Sequence, residues 1–327
     1  MTYTVAIIGL GNIGMLYDSD KDEEYCLTHS RAFLNHSGFN VKMMIDIDDE
    51  KLNLAKKLFR KNKEILFLNN LQETKFIPEI IVLSSSPKVN KSIIEEYYNN
   101  KEVKLFFVEK PFDKIKDKSD LENFKSKIKL NYFRKSFRSF KKIKSDITEG
   151  KYGNPLFMNC VYSKGLRNNG SHLLDLILFL FENFKIEHNS IKIISYKNDY
   201  SREDLSIGFA VEMTNKRNSF PIVFQIADEN KFSLFECDIV FENYRIKFSD
   251  FGFNIETYKI ENDKVYEKQR KFELLEKISI NEKNFMIDVV DELHENLIKN
   301  NFSDSSLVNE FKIQQLIISV INKLENG

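Results

Sequence analysis

The chain has 327 residues, 42% of them hydrophobic and 13% aromatic, which is enough for sizeable cores and favours two domains over one. Lys plus Arg and Asp plus Glu each total 49, and this zero net charge argues against a general nucleic-acid binder. Cys26, Cys160 and Cys237 lie far apart with no CxxC pair and the five histidines are scattered, so no metal ligand set is expected and the odd cysteine count suits reduced thiols in a reducing compartment.

Residues 4–14 read Thr-Val-Ala-Ile-Ile-Gly-Leu-Gly-Asn-Ile-Gly, an apolar run passing straight into Gly9-x-Gly11-x-x-Gly14. The run lacks a basic flank and a cleavage site, so it reads as a first strand and not as a signal peptide. In that context Gly9 permits a tight turn, Gly11 lets the backbone approach a pyrophosphate, and Gly14 allows close packing on the strand. Free N–H groups at the start of the segment that follows are then placed to hold phosphate charge, and Leu10, Asn12 and Ile13 join the glycines as expected cofactor-binding residues. Residues 17–27 look like an insertion, with the crossover helix resuming near Thr28-His29-Ser30-Arg31. The insertion either covers a ligand or is a decorated surface loop.

A second strand spans 41–46 and ends in Asp46; a charged helix follows over 49–62. A carboxylate at that strand end accepts bonds from both adenosine ribose hydroxyls and repels a 2′-phosphate. At about 4 Å and an effective dielectric near 20, the repulsion is about 4 kcal/mol, on the order of a thousandfold preference for NAD over NADP. The alternative is a surface aspartate opening the turn 46–49. The usual gap from the last glycine to this acid is about 20 residues; here it is 46 − 14 = 32, and the insertion accounts for the excess.

A buried-type strand is expected at 79–84, a helix at 89–100 and a further strand at 104–109, closed by Pro111. Such alternation implies right-handed crossovers and a parallel sheet covered on both faces, with ligands beyond the carboxyl ends of the strands. Ser85, Ser86, Pro87, Asn90 and Glu109-Lys110-Pro111 therefore join the expected ligand edge. A lysine there can stabilise charge developing on a substrate oxygen; a lysine before proline is also a common solvated loop residue.

Residues 133–149 read as one amphipathic helix, with Phe133, Phe137, Phe140, Ile143 and Ile147 on one stripe and Arg134, Lys135, Arg138, Lys141, Lys142 and Lys144 opposite. The basic face is either simply solvated or a rim attracting an anionic substrate. Next, residues 165–175 (Gly-Leu-Arg-Asn-Asn-Gly-Ser-His-Leu-Leu-Asp) carry a Gly/Asn-rich loop into an apolar helix, with His172 in its first turn and Asp175 on the same face. A helix start disfavours the imidazolium, which keeps such a histidine a proton acceptor; a capping segment with a structural His and Asp is the alternative. The apolar stretch 173–181 is too short to span a bilayer, and a soluble, cytoplasmic protein with no membrane partner is expected. Strand-like runs at 207–214, 220–228, 232–242, 244–250 and 253–260 suggest an antiparallel meander, and helices are expected at 282–300 and 305–325.

Taken in order, residues 4–14, Asp46, Ser86-Pro87, Glu109-Lys110-Pro111, Asn131-Tyr132-Phe133-Arg134, the 150–155 turn and Gly170-Ser171-His172-x-x-Asp175 resemble the glucose–fructose oxidoreductase/inositol dehydrogenase (Gfo/Idh/MocA) family over almost the whole chain. The resemblance implies an α/β protein: a doubly wound Rossmann domain (1–130) and an α+β domain (131–327) with an open, mostly antiparallel sheet for substrate binding and oligomerisation. It also implies a homodimer or homotetramer paired through that sheet, and hydride transfer between NAD(P) and a ring carbon of a sugar or nucleotide sugar. Lys110 and His172 would flank the substrate, with Arg134, Arg167, Asn168 and Asp175 around it. Asn168 stands where many members carry a proton-transferring aspartate, and Asn90 where a histidine is common. The segment 28–33 and its preceding insertion look like a branch acting on surface-polysaccharide sugars. Redox-assisted elimination or glycoside cleavage with retained NAD, and a non-catalytic dinucleotide sensor or scaffold, are the competing readings.

Overall fold

Short, unbroken apolar runs set the first sheet. Strands β4 (Ile80–Leu83) and β5 (Leu105–Val108) are buried at every position, as parallel strands covered on both faces must be. They join β1 (Tyr3–Ile8), β2 (Phe39–Ile45), β3 (Leu66–Leu68) and β6 (Ile128–Leu130) in a parallel sheet of order β3-β2-β1-β4-β5-β6, the doubly wound arrangement. Helices α1 (His29–Asn35), α2 (Asp49–Leu58), α3 (Pro87–Tyr97) and α4 (Lys118–Phe124) form the crossovers. This computed structural model describes residues 1–112, 118–124, 126–300 and 305–326.

The chain divides into two units, Met1–Ser136 with Glu282–Phe311, and Phe137–Asn281 with the residues from Lys312 onward. The division falls inside the segment read from sequence as a single helix over 133–149. Phe137 is extended there (φ −69°, ψ 131°), and the run splits into a 3₁₀ turn, Phe133–Ser136, and helix α5, Arg138–Thr148. The stripe is split with it: Phe133 packs on Phe285 in the first unit, whereas Phe137 and Phe140 meet Phe253 and Phe248 in the second. The residues expected as the 282–300 helix also belong to the first unit, because Met286, Val289, Val290, Leu293 and Leu297 are buried in its core beside Tyr3, Phe33 and Phe39.

The insertion is an excursion out of the first crossover helix. The His29 and Ser30 N–H groups bond to the Ile13 and Gly14 carbonyls, both at 3.0 Å, so the helix resumes on the last turn it left. Asp18 closes the excursion. Its buried carboxylate accepts from Leu27 N (2.7 Å), Thr28 N (3.1 Å) and Thr28 Oγ1 (2.8 Å). The Arg31 guanidinium donates to the carbonyls of Asp18, Lys21, Asp22 and Tyr25. A charge-assisted cage of this kind makes the excursion a built element. Asp18→Asn should cost about 2–4 kcal/mol, since buried donors lose their acceptor; a urea midpoint equal to that of the parent chain would contradict this.

In the second unit the order β14-β13-β12-β11-β7-β10-β9-β8 gives an eight-stranded sheet: β7 (Pro155–Tyr162), β8 (Lys185–Ser201), β9 (Asp204–Thr214), β10 (Ser219–Ile226), β11 (Phe235–Phe241), β12 (Tyr244–Ser249), β13 (Asn254–Asn262) and β14 (Arg270–Ser279). It is mostly antiparallel but is not a plain meander, because β7 lies between β11 and β10 and pairs parallel with β10. Helix α6 (Ser171–Leu180) is buried along nearly its whole length. Helix α7 is Met286–Ile298 and α8 is Ser305–Glu325. Among the described residues no helix is long and apolar enough to cross a membrane, and no cluster of three metal-ligating side chains occurs.

One buried carboxylate ties α5 to the turn that leads from it into β7. Asp146 Oδ2 accepts from Lys142 Nζ (2.8 Å), Lys151 Nζ (2.9 Å) and Tyr152 Oη (2.7 Å). Burial alone would raise its pKa, but these donors prevail and hold it at about 2, against 3.8 for the free group. A depressed folded pKa gives stability that is present above the unfolded value and lost as pH falls through the folded one. The difference corresponds to about 2 kcal/mol. Asp146→Asn should therefore lower stability by about that amount at pH 7 and by almost nothing near pH 2. Denaturation at both pH values checks this, and an equal loss at each would contradict it.

Candidate functional site

Strand register brings the expected ligand edge into one line. Ile8 pairs with Ile45 and Leu83, Ile45 with Leu68, Leu83 with Val108, and Val108 with Leu130. The next residues are therefore Asn69, Asp46, Gly9, Ser84, Glu109 and Asn131, side by side across the carboxyl edge. The ladder continues through them, with Gly9 N to Ile45 O at 2.8 Å, Ser84 N to Ile8 O at 2.9 Å and Glu109 N to Leu83 O at 2.8 Å. Strand order reverses between β1 and β4, where open sheets bind ligands.

The glycine turn has the shape that its spacing predicts. Gly9 has φ +94°, and a Cβ there would lie 2.6 Å from Ser84 C and Ser85 N. A Cβ on Gly14 would lie 2.0 Å from the Gly9 carbonyl oxygen, whereas one on Gly11 would meet nothing within 4 Å. Gly9 and Gly14 thus serve close packing, and Gly11 faces open space. That space is a cavity of about 430 Å³ lined by Gly9, Gly11, Asp46, Lys51, Asn69 to Gln72 and Ser84 to Ser86, within the range of small-molecule sites.

Asp46 is held in place by the turn itself. Its Oδ2 accepts Leu10 N–H at 2.7 Å, its Oδ1 accepts Asp48 N–H at 3.0 Å, and Lys51 Nζ lies 3.7 Å from Oδ2. The ammonium offsets part of the charge that the sequence argument set against a 2′-phosphate. Asn90 is buried, with its amide spent on Ser85: Ser85 Oγ donates to Oδ1 at 2.5 Å and Nδ2 donates to the Ser85 carbonyl at 3.2 Å. Ser86 and Pro87 form the start of α3.

Glu109 anchors the end of β5. His29 Nε2 (2.8 Å) and Asn131 Nδ2 (2.7 Å) both donate to its Oε1. Burial would raise the Glu109 pKa, but the His29 bond and charge, the Asn131 bond and the neighbouring Lys110 hold it below the usual carboxylate range. The following bond, Lys110–Pro111, is cis. Neither His29 nor Asn131 carries a sequence signal that marks it as a partner of Glu109. They lie 80 and 22 positions from Glu109, and no local pattern links them. Arg134 is buried, with its guanidinium 4.4 Å above the Phe133 ring, and is not part of a solvated basic face.

His172, Asn168, Arg167 and Asp175 lie in the second unit. The Gly/Asn-rich segment is a π-helical turn, Gly165–Gly170, running directly into α6. The helical run therefore begins at Gly165, so His172 is not in its first turn, and the exposed amides of the helix start are those of Arg167 and Asn168. Asp204 takes both, accepting Arg167 N–H on Oδ1 at 2.8 Å and Asn168 N–H on Oδ2 at 2.9 Å. His172 and Asn168 are half-buried, Arg167 is exposed and Asp175 is buried.

No protein-family model matches the sequence, and no curated protein matches it. Solved structures share the fold from end to end at low identity. An oxidoreductase from Agrobacterium radiobacter in complex with NAD+, L-tartaric acid and magnesium is 13% identical, with a TM-score of 0.70 over 100% of this chain and 97% of that one. KijD10, a 3-ketoreductase from Actinomadura kijaniata in complex with NADP, is 11% identical, with a TM-score of 0.68 over 99% and 98%. A super-repressor mutant of Gal80p from Saccharomyces cerevisiae is 14% identical, with a TM-score of 0.70 over 98% and 97%. One fold thus carries both oxidoreductases and a repressor, and function must be argued from the site.

Proposed function

We propose that the chain is a nicotinamide-dependent oxidoreductase of the Gfo/Idh/MocA type, acting on a ring carbinol of a sugar or nucleotide sugar. The carrying observation is the glycine turn: Gly9 and Gly14 pack against backbone while Gly11 opens onto the cavity beside Asp46. That geometry suits a dinucleotide, with the pyrophosphate over Gly11 and the adenosine beside Asp46, Asn69 and Asn70. A nicotinamide ring, when bound, supplies the hydride acceptor or donor. Asp46 together with Asp48 outweighs the single charge of Lys51, which supports NAD over NADP.

Lys110 holds the reacting hydroxyl and steadies negative charge on its oxygen. His172 takes the proton on an imidazole nitrogen. Asn168, an amide, orients a hydroxyl but accepts no proton, so proton transfer falls to the other two. The segment 28–33 and the insertion before it support surface-polysaccharide sugars as the substrate class. Exposed Ile194 and Tyr196 on β8, with Phe272 and Leu274 on β14, support pairing of the second-unit sheets. A dimer or tetramer is expected in sedimentation, and a monomer at micromolar concentration contradicts that pairing.

The test is a panel of nucleotide sugars with NAD+ or NADH, followed by the reduced-nicotinamide absorbance. Net turnover of at least one sugar is expected. Turnover of none, with NADH still bound, would favour a non-catalytic sensor or scaffold, the reading that Asn168 supports.

A further inference from the structure

We propose that Asp204, at the start of β9, is a positioning residue that sets the backbone carrying Arg167, Asn168 and His172; the inference rests on the oxidoreductase reading above. Between β7 and the π-helical turn the chain reverses through two consecutive left-handed residues, Lys164 (φ 71°) and Gly165 (φ 81°). A helical run starting after such a reversal leaves its first N–H groups without intrahelical partners. Here side chains of a different element take three of them. Ser206 Oγ accepts Gly165 N–H at 3.0 Å, and Asp204 accepts from Arg167 at 2.8 Å and Asn168 at 2.9 Å. Both acceptors sit at the start of β9, just past the β8–β9 hairpin turn.

The fit is close. A Cβ on Gly165 would lie 2.2 Å from Asp204 Oδ2, so the carboxylate rests directly on the glycine. The hairpin is itself braced. Ser206 Oγ donates to Asp199 Oδ1 at 2.7 Å, and Asp199 Oδ2 accepts Glu229 N–H at 3.0 Å, which ties β8 to the β10–β11 connection. Tyr162 Oη, at the end of β7, donates to Ile207 O at 2.8 Å and accepts from Ile207 N at 3.0 Å. Asp204 thus transfers the rigidity of the sheet to a segment outside it. A carboxylate accepting two backbone N–H groups is a charge-assisted pair, stronger than neutral bonds. His172 follows the capped amides by one helical turn, so its backbone is carried by the capped segment.

Asp204→Asn is nearly isosteric and replaces one acceptor oxygen by a donor. It is expected to speed amide exchange at Arg167 and Asn168 by at least about tenfold, while exchange deep in α6 stays unchanged. Binding of NADH should change by less than about twofold, and kcat on the sugar found in the panel should fall by about 30- to 100-fold with KM for the dinucleotide unchanged. Gly165→Ala, whose Cβ would fall 2.2 Å from Asp204 Oδ2 and which also strains a backbone held at φ +81°, should show the same exchange pattern. Unchanged exchange in both variants overturns the proposal, as does faster exchange with full kcat. If the parent chain binds NADH but turns over no sugar, the oxidoreductase reading fails, and the exchange measurement alone decides whether Asp204 holds the segment.

Discussion

Lys110→Met and His172→Ala are each expected to lower turnover about a thousandfold while leaving NADH binding intact. Lys110 follows Glu109, whose backbone N–H is bonded to Leu83 O at 2.8 Å and whose carboxylate is held by His29 and Asn131. Its backbone is therefore fixed by a strand end and a buried hydrogen-bonded pair, the kind of support a charge-stabilising group needs. Methionine keeps the length of the stem and removes the ammonium, so the loss reads out charge stabilisation and not packing. His172 is half-buried on a helical run whose start is capped by Asp204. Alanine there removes the proposed proton acceptor, and Asn168 cannot replace it because an amide has no basic nitrogen. Neither residue lines the cavity beside the glycine turn, so nicotinamide fluorescence should titrate as in the parent chain. Full rates in both variants would remove these two roles from the account.

Gly11→Val is expected to lower dinucleotide affinity by at least about a hundredfold, or about 2.7 kcal/mol, with the melting temperature almost unchanged. An ideal Cβ on Gly11 meets nothing within 4 Å, so the backbone accepts a side chain there, and that side chain would occupy the space proposed for the pyrophosphate. Gly14→Ala should differ in kind. Its Cβ would fall 2.0 Å from the Gly9 carbonyl oxygen, which is backbone and cannot swing aside. That variant should lose both stability and binding. The pair separates a glycine needed for the fold from a glycine needed for the ligand. Calorimetric titration and thermal melts of the two variants check it, and equal affinity of Gly11→Val and the parent chain would contradict the placement of the pyrophosphate.

Much of the first sheet is legible in the sequence because its strands are buried on both faces and carry apolar residues without interruption. The runs ending at Leu83 and Val108 are of this kind. The resumption of the helix at Thr28 is legible as well, since Thr28 is an N-cap whose side chain accepts Arg31 N–H. The edge strands of the second sheet are not. β8 and β14 are exposed at most positions, so no period of two marks them. The parallel pairing of β7 with β10 has no local signal either, because register between distant strands is set by the whole sheet. The break at Phe137 escapes the pattern for another reason: Phe133, Phe137 and Phe140 keep helical spacing while packing in two different units. Along the carboxyl edge of the first sheet, the places of Gly9, Gly11, Gly14, Asp46 and Glu109 follow from motif and strand order. Asp204, which accepts from Arg167 and Asn168, and His29, which donates to Glu109, act through long-range hydrogen bonds that spacing along the chain does not encode.

The central claim is that the edge beside Gly11 and Asp46 holds a nicotinamide dinucleotide. Isothermal titration of the intact chain with NADH and, separately, NADPH tests it most directly. One site per chain is expected, with NADH bound more tightly than NADPH. Absence of heat with either dinucleotide over a range of temperatures, from a chain that melts cooperatively, would contradict the claim.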